Sequence, residues 1–175
     1  ISKKNSICKK RLSKKDKKNY TDAEIVIFSS TYSKKDIFLI NKIINQIKND
    51  KKIIILTTKM PSFYFKDKFS LVDRFYLDNK KLPNLKQKIL LEKKYFETRN
   101  KDDTDEINKK LVKIAKNNTI KIYNKDDLVC KIKDERCLFL TPSNQKIFRD
   151  NSHLTVGGAK FIGREIYKKN WLDLN

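Results

Sequence analysis

Apolar and polar positions follow two distinct periods along this chain. Ala23-Glu24-Ile25-Val26-Ile27-Phe28 and Lys52-Ile53-Ile54-Ile55-Leu56-Thr57 are short, β-branched apolar runs, the pattern of strands buried on both faces of a sheet. Between them Ile37, Ile40, Ile44 and Ile47 recur at helical spacing and predict an amphipathic helix covering that sheet. Ser33 followed by Asp36 reads as a capping box, with Asp in place of the usual Glu, and Asn49-Asp50 ends the helix. Strand, helix and strand within about 35 residues make a βαβ unit with a right-handed crossover.

Pro61 opens a loop carrying Phe63, Tyr64 and Phe65, and residues 66–83 read as irregular or partly helical. From Pro83 to about Asn118 the pattern is helical, with Leu85, Ile89, Leu90 and Tyr95 on one face. The Asp and Asn cluster predicts a break near Lys101–Thr104, after which a second helix carries Ile107, Leu111, Val112, Ile114 and Ala115. Thr119–Tyr123 predicts a third strand, Leu138-Phe139-Leu140 a short extended segment, and Thr155–Lys168 a last helix. Residues 1–20 are polar and basic, a connecting segment, and residues 21–175 form one domain. The alternation predicts a three-layer α/β/α sandwich with a mainly parallel sheet. The chain starts at Ile1 without a signal-like apolar segment, so it is expected to be a piece of a longer polypeptide.

Composition narrows the function classes. In 175 residues, 38% hydrophobic, one core of ordinary size is available, and no run approaches the roughly 20 apolar residues of a membrane helix. Lys+Arg 42 against Asp+Glu 21 gives a net charge of +21. The densest basic block is Lys9-Lys10-Arg11 with Lys14, Lys15, Lys17 and Lys18, and only Tyr20 stands beside it as an aromatic. Nucleic-acid readers interleave aromatics and glycines with their cations, so the charge reads as a solvated basic surface and argues against nucleic acid as partner.

The scarce residues collect in one place. All three glycines and the one histidine lie between His153 and Gly163, and the informative stretch is Phe148-Arg149-Asp150-Asn151-Ser152-His153-Leu154-Thr155-Val156-Gly157-Gly158-Ala159. Asp150 and His153, three apart and just before a helix, can converge. The carboxylate orients one imidazole nitrogen and stabilises the imidazolium, while the other nitrogen takes a proton from a serine hydroxyl. Thr155 is the expected N-cap, and the small residues after it let the helix start close to its neighbours. By itself D-x-x-H is a short motif that also occurs in plain surface loops. Its position before the C-terminal helix of an α/β domain is where open sheets of this kind place their sites.

This block resembles the last conserved block of SGNH hydrolases, in which D-x-x-H supplies the catalytic acid and base. It is more closely similar to SGNH domains at the C-terminus of membrane-bound type-three acyltransferases, which O-acetylate surface polysaccharides such as lipopolysaccharide O-antigen. Their D-x-x-H-L-[ST]-x-x-G-A block follows a Cys pair, here Cys130 and Cys137, and Pro61-Ser62-Phe63 matches a Pro-x-Phe-like segment after an earlier strand. The likeness covers roughly residues 20–172. It is specific at 130–160, loose at 20–65 and absent in the middle helices. The family's G-D-S block is missing, and no glycine precedes Gly157, so the nucleophilic serine is expected upstream of Ile1. The G-x-N-D block is missing as well. At the matching place stands Ser29-Ser30-Thr31-Tyr32, and an aromatic there suits the acyltransferase branch. Ser30 and Tyr32 are therefore candidate site-lining residues. Ser30 lacks the flanking glycines a nucleophile elbow needs.

Cys130 and Cys137 bracket six residues. The residues alone leave open either a bridge, contributing roughly 2–3 kcal/mol, or two free thiols in a reducing compartment. The resemblance implies the bridge, because that domain faces the periplasm. Cys8 is left to pair outside this segment or to stay free, and one His with one spare Cys makes a poor zinc site. The resemblance further implies O-acyl transfer, most simply acetyl, to a hydroxyl of a cell-surface glycan at the periplasmic face of the bacterial inner membrane. His153 would be base and acid, Asp150 its orienter, and the donor would come from a membrane acyltransferase domain without a further cofactor. A stand-alone SGNH carbohydrate esterase and a catalytically inactive basic binding domain are the alternatives.

Overall fold

The computed structural model describes residues 13–66 and 69–171. Cys8 and the basic run Lys9–Arg11 therefore lie outside the described residues. The segment expected to be a connector is helical from Lys14: α1 (Lys14–Asp22) is opened by a capping box between Ser13 and Asp16 and buries no residue. It is held to the domain through Lys52, whose Nζ donates to the carbonyls of Thr21 at 3.1 Å and Ala23 at 2.6 Å and lies 4.9 Å over the Tyr20 ring.

The βαβ unit follows as read. β1 (Ile25–Phe28) leads into α2 (Lys34–Ile47), capped by the Ser33–Asp36 box, and then β2 (Ile53–Thr57). β2 is the middle of a parallel sheet of order β1-β2-β3, with β3 at Lys121–Tyr123. Phe28, Leu56 and Ile122 are register partners across it. Side-chain alternation then sorts the two faces. Leu56 with Phe28, Ile54 and Ile122 packs on Ile40 and Ile44 of α2 and on Ile107, Leu111 and Ala115 of α5 (Lys101–Asn118). On the opposite face Tyr123 stacks on Trp171 at 4.8 Å, just beyond the last helix. Helices thus flank both faces, which makes the domain an α/β sandwich on a parallel sheet. Near β1 the second face is bare: Ile27 and Ile53 are 51% and 43% exposed. Among the described strands, β1 pairs only with β2.

The middle of the chain departs from expectation in two respects. α3 (Leu71–Asn79) and α4 (Leu85–Glu97) precede α5, and the break falls at residues 98–100 rather than at Lys101–Thr104. Asn100 caps α5 by accepting from the Asp103 amide. The acidic run thus forms a first turn, where carboxylates are favoured by the helix dipole. On α4 Leu85 and Leu90 are exposed. The buried face carries Glu92, Tyr95 and Phe96 instead, at the 3- and 4-residue spacing one helical stripe requires. Glu92 is tolerated there because Arg136 Nε donates to it at 2.9 Å.

After β3 come two short strands, β4 (Cys130–Lys131) and β5 (Arg136–Cys137), paired antiparallel with the two cysteines opposite each other and bridged. α6 (Val156–Lys168) closes the fold. No helix of the described residues is long and apolar enough to cross a membrane.

Candidate active site

Residues 147–155 form a small hairpin in front of α6. Phe148 and Leu154 form an antiparallel bridge, Arg149 N donates to His153 O at 2.7 Å, and Thr155 N donates to Ile147 O at 2.9 Å. The hairpin is seated from below by aromatic packing. Phe148 meets Phe63 edge-on at 5.1 Å, and Phe63 N donates to Asn151 O at 2.9 Å. Phe63, Phe148 and Ile147 are fully buried, so the base of the turn is fixed by burial while its tip stays in solvent.

The tip carries Asp150 and His153. Asp150 Oδ1 accepts from the backbone amides of Ser152 at 3.1 Å and His153 at 2.9 Å, an Asx turn that orients the carboxylate. His153 Nδ1 lies 2.9 Å from Oδ1 and 3.0 Å from Oδ2 of the same carboxylate. The amides of His153 and Ser152, with the imidazole behind them, hold the Asp150 carboxyl well below the ordinary carboxylate range. Asp150 is therefore the charged acceptor, and Nδ1 carries the proton it binds. That tautomer leaves Nε2 as the basic nitrogen, on a side chain 71% exposed. The arrangement can take a proton from a hydroxyl brought to Nε2 and return it.

α6 is brought close behind this tip. Thr155 Oγ1 accepts from Gly158 N at 2.9 Å, so Thr155 is the N-cap. A methyl on Gly158 would overlap the Ile147 carbonyl oxygen and lie 2.8 Å from its carbon. Only glycine lets the helix start against the hairpin. The Cys130–Cys137 bridge is tied to the same base, since Leu138 N donates to Val129 O at 2.8 Å and Ile147 N to Phe139 O at 2.9 Å.

Ser30 and Tyr32 lie at the carboxyl end of β1. Among the described residues no hydrogen bond joins them to Asp150 or His153. Tyr32 is buried, at 3% exposed, with φ 32°, a left-handed conformation costly for a bulky residue. Its hydroxyl donates to Phe28 O at 2.6 Å. Ser30 uses its carbonyl, which accepts from Lys125 Nζ at 3.3 Å, and Ser29 Oγ accepts from the same ammonium at 3.3 Å. The two residues thus form a second cluster with Lys125, whose ammonium lies 5.9 Å over the Tyr32 ring. Burial lowers Lys125 to about 8. The sequence pattern does not single out Lys125, one lysine among 42 Lys+Arg. Among the described residues no group of three His, Cys, Asp or Glu side chains forms a metal-binding cluster.

An Asp–His pair presented on a hairpin before the last helix of an α/β sandwich can serve as orienter and base for a hydroxyl brought to Nε2. A family model described as "SGNH domain (fused to AT3 domains)" matches residues 8–168, and this chain belongs to that family. No curated protein matches it. Among solved structures it is similar to the lipopolysaccharide acetyltransferase periplasmic domain of Salmonella ser. Paratyphi A, with TM-score 0.57 and 18% identity over 83% of this chain. The match spans 56% of that domain's length.

Proposed function

We propose that this domain transfers an acyl group, most simply acetyl, to a hydroxyl of a cell-surface polysaccharide or lipopolysaccharide, through a serine supplied by polypeptide outside this chain. The observation that carries the reading is the Asp150–His153 pair, with Nδ1 anchored and Nε2 presented to solvent. In the first step Nε2 takes the serine proton as Oγ attacks the acyl carbonyl, then gives it to the departing donor. In the second, Nε2 takes the proton of the glycan hydroxyl as that oxygen attacks the acyl-enzyme, and returns it to the serine Oγ. Asp150 stays ionised throughout and stabilises the imidazolium.

Further support comes from the edge of β1, which pairs only with β2 among the described strands, and from the exposed apolar side chains Ile27 and Ile53. A strand and a helix added there would complete both layers, and parallel pairing would bring the end of that strand to the site side of the sheet. Family membership supports a membrane acyltransferase domain as the source of the acyl group and the periplasmic face of the inner membrane as the location. With the ring this exposed, water competes with the glycan hydroxyl, so ester hydrolysis is the expected reaction when acceptor is absent.

The test is His153→Ala in the full-length protein, with O-acetyl groups on the surface polysaccharide counted by proton NMR. Loss of acetylation with the variant still folded is expected. Wild-type acetylation would overturn the assignment.

A further inference from the structure

The hairpin that presents Asp150 and His153 is gripped from just outside by Lys146. Its Nζ donates to the Arg149 carbonyl at 3.2 Å, the residue before Asp150. Its own carbonyl accepts from Thr155 Oγ1, two residues after His153. The same Nζ meets Asp73 Oδ2 at 2.5 Å. Asp73 is itself immobilised in the first turn of α3, accepting from Ser70 N at 3.1 Å and Ser70 Oγ at 2.8 Å. Ser70 is buried, and Lys146 and Asp73 are 25% and 32% exposed.

A half-exposed ion pair adds little stability by itself. Its geometry matters more, because one ammonium joins α3 to the entry of the loop while the same residue's backbone joins the loop's exit to the N-cap of α6. Among the described residues the tip is otherwise held by the Asx turn and the Arg149 N–His153 O bond within itself and by the Phe63–Asn151 bond beneath it, and of these only the last ties it to another part of the chain. A swing of the turn would move the imidazole without unfolding the domain, and a misplacement of about 1 Å costs on the order of 100-fold in rate.

We propose that Lys146, backed by Asp73, is a positioning residue for the Asp150–His153 pair, holding the hairpin against α3 so that Nε2 keeps one direction. The inference rests on the acid–base reading above, and Lys146 itself touches no reacting atom.

Lys146→Met keeps the aliphatic stem and removes the donor. In the full-length protein it is expected to lower kcat roughly 10- to 100-fold with KM changed less than about twofold. Lys146→Arg should recover part of the loss, and Asp73→Asn should act in the same direction, less strongly. Hydrogen–deuterium exchange gives a readout independent of activity. The Ser152 and His153 amides, both bonded to Asp150, should exchange about tenfold faster in Lys146→Met, while the amides of β2 do not change. If kcat and tip exchange stay at wild-type values in a folded Lys146→Met protein, the proposal is overturned. Should that variant not fold, the same two readouts on Asp73→Asn decide. If His153→Ala remains active, the acid–base reading fails instead, and the exchange data still report whether Lys146 holds the turn.

Discussion

Asp150 binds His153 twice, accepting from its backbone amide at 2.9 Å and holding its Nδ1 at 2.9 Å with the same oxygen. The carboxylate therefore fixes both the turn and the tautomer. Asp150→Asn removes the charge yet keeps an oxygen for the amides, so the turn should survive, while an amide NH2 in place of Oδ2, 3.0 Å from Nδ1, donates to the ring and favours the wrong tautomer. Loss of tautomer control costs on the order of 10⁴-fold in kcat in a serine triad, and a drop of roughly that size in acyl transfer is expected. A fall of less than tenfold would show that Asp150 only shapes the loop. The sign of the pH effect follows from the depressed carboxyl. Its stabilising contribution is present above the unfolded-state value near 4 and is lost as pH falls below it.

The site and the fold were legible to different degrees. The βαβ unit shows in the chain because Ile25–Phe28 and Ile53–Thr57 are uninterrupted apolar runs, a signal local to each strand. The Asp150–His153 pair shows because the single His and the three glycines fall together. The β4–β5 hairpin did not show, since two-residue strands have no period. The residue pattern starts α5 a few residues late because Asp-rich segments read equally as loop or as capped first turn. Lys146 and Lys125 carry no sequence signal in a chain with so many lysines. Their roles depend on the Arg149 carbonyl and on the end of β1, which only the tertiary fold brings within reach.

Arg99 is a structural counterpart to these exposed residues. Its side chain is 2% exposed, and Nη2 donates to Asp126 Oδ2 at 2.6 Å and also to Asp105. Asp126 is 7% exposed, and burial lifts its carboxyl, with Arg99 pulling the other way. Removing the cation strands a buried carboxylate. Arg99→Met should therefore destabilise the domain by about 3–5 kcal/mol, read as a lower urea midpoint. Asp126→Leu added to it should recover part of the loss, because the uncompensated charge goes with it. A double variant no more stable than the single one would refute this account.

The Cys130–Cys137 bridge closes a short loop, so reduction or the Cys130→Ser/Cys137→Ser pair should lower stability by roughly 2–3 kcal/mol. Because β5 runs directly into the Leu138–Phe139 segment that supports Ile147, some loss of acyl transfer should accompany it. Urea denaturation with and without dithiothreitol measures the first effect. An unchanged midpoint would mean that the hairpin holds without the bond.

Two glycines of α6 should respond to alanine in opposite ways. Gly158 faces the Ile147 carbonyl, where a methyl has no room, and backbone cannot yield as a flexible side chain would. Gly158→Ala should push α6 away from the hairpin, lowering stability and acyl transfer together. Gly163 has nothing within 4 Å of its added methyl and sits inside a helix, so Gly163→Ala should stabilise by roughly 0.5–1 kcal/mol and leave activity intact. Thermal melts of the two variants test this directly, and equal shifts in the same direction would refute the packing account.

Lys125 gives the domain an alkaline signature. Its ammonium faces Ser29 Oγ, the Ser30 carbonyl and the Tyr32 ring, and no carboxylate binds it among the described residues. Burial lowers it to about 8, against about 10.4 in an unfolded chain. Between those values the unfolded state binds more protons than the folded one, so stability rises with pH. Above about 10 the trend reverses, because Tyr20, raised to about 12 by its hydrogen bond to Asp50, and Tyr95, raised by burial, hold their protons longest when folded. Urea midpoints at several pH values from about 7.5 to 9.5 should climb in the wild type and climb less in Lys125→Met. Parallel profiles would mean that the ammonium is as well solvated in the folded domain as in the unfolded chain.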